Sequence, residues 1–161
     1  SRGSFSEVYR LDQFSKFLPD NINFIQDNES FSNKGVLRGL HFQASLFEQS
    51  KLVRVSHGEI QDVVVDIRKK SKTFGKHISL KLSKENGRQL FVPKGFAHGF
   101  LVLSDNAIVN YKVDNYYSKE DDSGILFNDS DLNINWELHE SEIQCSEKDM
   151  NLPQLKNLNI L

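Results

Sequence analysis

The sequence has a single cysteine, Cys145, among its 161 residues, so a disulfide within the chain and a zinc site built from several cysteines are both excluded. It lacks an apolar run approaching the roughly 18 residues of a membrane span, and its beginning, SRGSFSEVYR, lacks the apolar centre of a signal peptide. Basic and acidic residues number 20 and 22, so no overall positive field draws the chain to nucleic acid or to a membrane. These absences favour a cytoplasmic protein that holds anionic ligands with individually placed cations.

The sequence also lacks a segment with the length and period of a major helix. Its apolar segments are short, alternate with polar residues and are separated by turn signals about every ten residues. The segments that predict strands are 5–9, 22–26, 35–43, 51–57, 59–67, 77–82, 89–92, 96–103 and 107–113. Residues 28–34 and 115–131 are predicted as loops, and residues 12–18 as a short helix ending before Pro19. This pattern predicts an all-β sandwich or jelly-roll barrel in one domain spanning residues 1–161.

Two of the predicted strands carry a histidine in an apolar setting: His41 in GVLRGLHFQ and His98 in FAHGFLVL. An ionisable side chain in such a strand is costly unless it lines a pocket or has a partner. Strict alternation would place Arg38 and His41 on opposite faces, but Gly39 between them predicts a bulge that redirects a neighbour. The two histidines therefore mark a candidate site, with a purely structural role as the alternative.

The spacing around His41 disfavours a metal centre. A histidine–carboxylate metal site of a β-barrel usually includes a His-x-His pair, and the residue two after His41 is Gln43. Acid–base chemistry fits better, because an imidazole can take a proton near neutral pH when a carboxylate orients it. Asp62, Asp66 and Asp149 are the candidates for that carboxylate.

Two further side chains could complete an acid–base site. Alternation in KLVRVSH directs Lys51 to the same face as the apolar residues, where its ammonium could stabilise an oxyanion. Tyr111 in AIVNYKV could return a proton, although packing in the core is the alternative for a strand aromatic.

Several motifs occur together along the chain, from residue 2 to about residue 153: RGSFSE, FIQDN, GVLRGLHFQ, KLVRVSHGEIQDVVVDIR, FVPKGFAHGFLVLS, YKVDNYY, LNINW and SEKD. With these motifs the chain resembles the dTDP-4-dehydrorhamnose 3,5-epimerase family of nucleotide-sugar enzymes. The resemblance implies a double-stranded β-helix of the cupin-like jelly-roll type with short peripheral helices, and no metal or other cofactor. It also implies a homodimer that exchanges N-terminal strands, and a tail from about residue 140 that packs on the barrel.

The resemblance assigns catalytic roles motif by motif. His41 would be the base that removes a proton next to a keto group, with Asp149 of SEKD as its carboxylate partner. Tyr111 would reprotonate the opposite face, Lys51 would stabilise the enolate oxygen, and Asp62 would be a supporting carboxylate.

The resemblance also assigns contacts to a dTDP-sugar. The pyrophosphate and sugar contacts would be Gln26, Asn28, Arg38 and His98, and the nucleotide contacts from the neighbouring subunit would be Arg2, Phe5 and Glu7. Tyr117 would cover the base. These residue types suit the ligand, because arginines bind phosphates bidentately and thymine offers a flat face to an aromatic ring.

The implied activity is epimerisation at C3 and C5, which turns dTDP-4-dehydro-6-deoxyglucose into dTDP-4-dehydrorhamnose, a deoxysugar for surface polysaccharide. The segment after Tyr117 departs from the family pattern, because Ser118 stands where a proline is usual. That departure leaves a C3-only epimerase, a 3,4-ketoisomerase and a non-catalytic nucleotide-sugar-binding cupin open as alternatives. A metal-dependent oxygenase is the remaining alternative.

Overall fold

The computed structural model describes residues 2–20 and 22–158. Within them, the strands are β1 (Gln26–Asn33), β2 (Leu37–Gln43), β3 (Lys51–His57), β4 (Glu59–Asp66), β5 (His77–Ser83), β6 (Gln89–Val92), β7 (Phe96–Val102), β8 (Asn106–Val113) and β9 (Asp122–Gly124). The helices are α1 (Leu11–Phe14), α2 (Glu147–Met150) and single 3-10 turns at Ser45–Phe47, Glu140–Glu142 and Leu155–Asn157. No helix among the described residues is long and apolar enough to cross a membrane.

The strands form two antiparallel sheets. The first sheet has the order β1-β8-β3-β6 and the second has the order β5-β4-β7-β2-β9. The chain crosses from one sheet to the other at every step except from β4 to β5, and it places β1 beside β8 and β2 beside β7, as in a jelly roll. The predicted all-β jelly roll is confirmed.

Apolar side chains fill both faces of the second sheet. One core cluster joins the two sheets and includes Val53, Ile60, Phe100 and Val109. Another covers the outer face of the second sheet with residues from the end of the chain, among them Ile125, Leu132, Leu155 and Leu158. Because β4 is buried on both faces, its valines Val63, Val64 and Val65 follow one another instead of alternating with polar residues.

Three of the local predictions at the N-terminal end were wrong. Residues 22–26 were predicted as a strand, but only Gln26 belongs to one. Residues 28–34 were predicted as a loop, but most of them belong to β1, which pairs with β8 in the register Asn28↔Tyr111. The inward positions of β1 are polar because they line a cavity instead of the core. Residues 5–9 were predicted as a strand, but no strand begins before Gln26 in the described part of the chain.

The predicted bulge at Gly39 is confirmed. The β2–β7 register shifts between Arg38 and His41, and Gly39 has a φ of 135°. A Cβ atom at this position would lie 2.5 Å from the Cα of Gly99 on β7, so the close approach of the two strands also requires glycine. The bulge turns Arg38 and His41 toward the same cavity.

Candidate active site

Two adjacent cavities lie between the sheets and share the side chains of His41, Lys51 and Tyr111. The larger cavity has a volume of about 560 Å³ and extends toward Arg38 and the segment 144–149. The smaller has a volume of about 360 Å³ and extends toward β1 and Tyr117. Together they offer a continuous cleft with ionisable groups at its centre.

Asp149 is the carboxylate that pairs with His41. It lies in the one-turn helix α2, where the hydroxyl of Ser146 accepts a hydrogen bond from the Asp149 backbone N–H at 3.1 Å. Its Oδ1 lies 2.6 Å from His41 Nε2, and its Oδ2 accepts a hydrogen bond from the Gly39 N–H at 3.2 Å. The bulge therefore both aims His41 and helps to hold its partner.

The protonation of this pair follows from its surroundings. Asp149 is buried, whereas the His41 side chain is 29% exposed and reaches the cavity. Burial acts to raise the pKa of Asp149, but the hydrogen bond and charge of His41, together with the hydrogen bonds of Gly39 and Ser146, lower the pKa below its ordinary value. Asp149 is thus an ionised carboxylate that fixes the orientation of the imidazole.

The other two candidate carboxylates have different partners. Asp62 on β4 is fully buried, and both of its oxygens lie 3.0 Å from Nε2 of His98 on β7. Asp66 accepts hydrogen bonds from the Arg68 guanidinium and two hydroxyl groups. The structure therefore contains two histidine–aspartate pairs, of which the His41 pair reaches both cavities and the His98 pair only the larger one.

Lys51 and Tyr111 face His41 from the opposite sheet. Lys51 begins β3 and Tyr111 lies in β8, and the two strands are neighbours in the first sheet. Burial lowers the pKa of Lys51 to about 8, against the opposing charges of Asp62 and Asp122. Burial raises the pKa of Tyr111, with Arg38 opposing the shift. A ligand in the cleft would therefore have an imidazole on one side and an ammonium and a phenol on the other.

Most of the predicted binding residues line the same cleft. Gln26 and Asn28 line the smaller cavity with Tyr117, and the Gln26 amide donates a hydrogen bond to Asn28 Oδ1 at 2.7 Å. Arg38 is an exposed residue that lines the larger cavity, and its Nε donates a hydrogen bond to the Ser32 hydroxyl at 3.0 Å.

The three N-terminal residues are not at the cleft. Arg2, Phe5 and Glu7 are exposed and line neither of the two cavities, and the Phe5 side chain is 97% exposed. The nearby Val8 carbonyl accepts a hydrogen bond from Gln89 at 2.7 Å. A single chain therefore does not bring these three residues into the site.

The sequence reasoning missed several polar residues of the cleft, among them Asp122, Lys148 and Ser30. Asp122 Oδ2 accepts hydrogen bonds from the Tyr117 hydroxyl, at 2.9 Å, and from the Lys148 ammonium. Ser30 Oγ is buried at the larger cavity without a hydrogen-bond partner among the described residues. Only Lys148 had a sequence signal, because it precedes Asp149 in SEKD; Asp122 and Ser30 lie in segments predicted as loops.

The side chains that could bind a metal ion do not form a metal site in the described part of the chain. Nowhere in residues 2–20 and 22–158 do three or more His, Cys, Asp or Glu side chains come close enough together to hold a metal ion. The two histidines of the cleft each face one carboxylate instead.

Comparison with known proteins agrees with this geometry. The sequence model of the dTDP-4-dehydrorhamnose 3,5-epimerase family matches residues 1–157. The chain is 50% identical to the enzyme of that name from Shigella flexneri over 150 residues, which are 93% of this chain and 82% of that protein.

Solved structures are similar as well. A dTDP-6-deoxy-D-glucose-3,5-epimerase from Legionella pneumophila, in complex with dTDP-4-keto-L-rhamnose, has a TM-score of 0.94 and 46% identity, covering 98% of this chain and 83% of that one. A dTDP-4-dehydrorhamnose 3,5-epimerase from Bacillus anthracis, with TDP and PPi bound, has a TM-score of 0.90 and 47% identity. The match covers 95% of this chain and 86% of that one.

Proposed function

The chain belongs to the dTDP-4-dehydrorhamnose 3,5-epimerase family, and from this premise we propose the reaction it catalyses. It has the cupin-type jelly roll of its relatives. The reaction is epimerisation of a dTDP-4-keto-6-deoxyhexose at C3 and C5, from dTDP-4-dehydro-6-deoxyglucose to dTDP-4-dehydrorhamnose. The observation that carries the proposal is that His41 and Tyr111 belong to opposite sheets and line the same cleft.

His41 removes the proton next to the ketone. The Asp149 carboxylate is hydrogen-bonded to Nε2 of the His41 ring, so Nδ1 is the atom that takes the proton. The pair of electrons from the C–H bond forms a double bond to C4, and the carbonyl becomes an enolate oxygen. The ionised Asp149 stabilises the imidazolium that results.

Lys51 stabilises the enolate. A positive group placed beside a developing oxyanion lowers the barrier far more inside a cleft than in water. Because its pKa is about 8, Lys51 is largely an ammonium at neutral pH. The charge of buried Asp62 helps to keep it so.

Tyr111 delivers a proton to the opposite face, which inverts the carbon. Its pKa is raised by burial, so the phenol holds its proton at neutral pH until the enolate takes it. Solvent then restores both side chains. C3 and C5 flank the same carbonyl, so one base, one acid and one ammonium serve both carbons, and no oxidant or reductant is needed.

The base of the nucleotide extends toward Tyr117, and the pyrophosphate and sugar are held by Gln26, Asn28, Arg38 and His98. We infer that the protein works in the cytoplasm as a homodimer of single-domain chains spanning residues 1–161. In that dimer Arg2, Phe5 and Glu7 reach the cleft of the neighbouring subunit. Their exposure in the single chain supports this arrangement, because it leaves all three side chains free to contact a neighbouring subunit.

Product analysis by NMR tests the proposal. The protein is incubated with dTDP-4-keto-6-deoxyglucose, and we expect inversion at both C3 and C5. Inversion at C3 alone would identify a C3-only epimerase instead, and movement of the carbonyl to C3 would identify a 3,4-ketoisomerase. Binding of thymidine diphosphate without turnover would leave only a binding module.

A further inference from the structure

A single carboxylate links the two ends of the cleft. Asp122 Oδ2 accepts a hydrogen bond from the Tyr117 hydroxyl and pairs with the Lys148 ammonium. Tyr117 lines the smaller cavity and Lys148 lines the larger one. We call these three residues the Asp122 brace. The Asp122 side chain is only 11% exposed, so both of its partners are held at an interior charge rather than at a freely solvated one.

Each end of the brace attaches to a part of the site. Asp122 begins β9, opposite Gln43 of β2, and the same short strand places Gly124 opposite His41. Gln43 also accepts the backbone N–H of Ser118 at 2.7 Å, which anchors the segment that follows Tyr117. The orientation of Tyr117 therefore depends on β9 and on the end of β2.

The other end holds the helix that carries Asp149. Helix α2 has four residues, which is too short to be stable without tertiary contacts. On the cavity side those contacts are Asp149 with His41 and Gly39, and Lys148 with Asp122. The hydrogen bond to Asp122 raises the pKa of Lys148, so this link is a charged one across the working pH range.

We propose that Asp122 is a positioning residue that couples the cover over the nucleotide to the His41–Asp149 pair. This inference rests on the proposed function and adds to it. Through Tyr117 the Asp122 carboxylate determines how firmly the thymine base is covered. Through Lys148 it determines how firmly Asp149 is held against His41. Loss of the Tyr117 hydroxyl or of the Lys148 ammonium loosens one end, and loss of the shared acceptor Asp122 loosens both.

Four variants separate the two ends. We expect Tyr117→Phe to act chiefly on the Kd of thymidine diphosphate and Lys148→Met to act chiefly on kcat, each by about three- to fivefold, the range of a partly exposed polar pair. Asp122→Asn should change both, and Lys148→Arg should recover most of the kcat lost in Lys148→Met. Asp105→Asn and Lys84→Met are matched controls on exposed turn residues outside both cavities, and we expect no change in them.

Three measurements test these expectations. Calorimetry gives the Kd of thymidine diphosphate, steady-state kinetics give kcat, and hydrogen exchange in the free protein reports how firmly residues 146–150 are held. Faster exchange in Asp122→Asn and Lys148→Met, with wild-type exchange in Lys148→Arg, supports the brace even if the wild type shows no turnover and the proposed function fails. Unchanged exchange in both variants overturns it. So does an Asp122→Asn effect confined to Kd or to kcat, or an arginine variant no better than the methionine one.

Discussion

Replacement of Asp149 by asparagine tests the pairing at the centre of the site with almost no change of shape. The amide oxygen can still accept the Gly39 N–H, as Asp149 Oδ2 does at 3.2 Å. The amide nitrogen then faces His41 Nε2, where a carboxylate oxygen lies 2.6 Å away in the wild type. Two donors cannot share that contact, so the imidazole must move its proton to Nδ1.

The size of the effect follows from this change of tautomer. Nδ1 is the atom that must accept the substrate proton, and a protonated Nδ1 cannot do so. Loss of an orienting carboxylate in such a pair costs on the order of 10³–10⁴ in kcat, or about 4–5.5 kcal/mol. The folded state loses only one charge-assisted hydrogen bond, about 2 kcal/mol, so the melting temperature should fall by about 4–8 °C.

Loss of the C3 and C5 protons of the keto sugar in heavy water, followed by NMR, measures the rate. Glu147→Gln is the control, because it removes an exposed carboxylate from the same helix and should leave the rate unchanged. A decrease of less than about tenfold in a folded Asp149→Asn protein would show that the carboxylate does not set the tautomer of His41.

Three further predictions concern single side chains. The pKa of Lys51 is about 8, so kcat of the wild type should decline above about pH 8 as the ammonium is lost. Lys51→Met should lower kcat about 10²–10³-fold and abolish this decline at high pH. A decline that persists in the variant would show that another group causes it. Tyr111→Phe should keep proton exchange with solvent but lose inversion about 10²-fold, because His41 can return the proton to the face it came from; equal losses of both, seen by NMR, would contradict the assignment of the acid. Asp66→Asn should lower the free energy of unfolding by about 3 kcal/mol in urea titration, because a buried carboxylate with an arginine and two hydroxyl partners loses its charge. The Arg68 guanidinium holds the pKa of Asp66 below its ordinary value, so the stabilisation should be full above about pH 4 and be lost as the pH falls further, and an unchanged urea midpoint at pH 7 would refute it.

The strands that were predicted well are short apolar or alternating segments bounded by turn signals. Residues 89–92 were predicted as a strand and form β6, and residues 51–57 form β3. The bulge at Gly39 was also predictable, because glycine in a strand signals a bulge or a close approach of a neighbouring strand.

β1 was missed because the rule that inward residues are apolar fails beside a cavity. Its inward residues include Asn28 and Ser30, which line the cleft, while Phe31 points outward and is exposed. Asp122 was missed for a related reason. Its importance lies in two tertiary contacts, with Tyr117 and Lys148, and neither contact leaves a periodic pattern in the sequence.

The N-terminal segment shows a different limit. Its alternation predicted a strand, and the described chain offers that strand no neighbour. Alternation reports only that one face of a segment is suited to burial, and it does not identify the chain against which that face packs.

Deuterium incorporation by the wild type and by His41→Asn is the most direct test of the proposed chemistry. In heavy water we expect the wild type to place deuterium at C3 and C5 of the keto sugar, and His41→Asn to place it at neither carbon while still binding thymidine diphosphate. Deuterium at both carbons in the His41→Asn protein would show that another group removes the protons, and the roles proposed for the cleft would have to be abandoned.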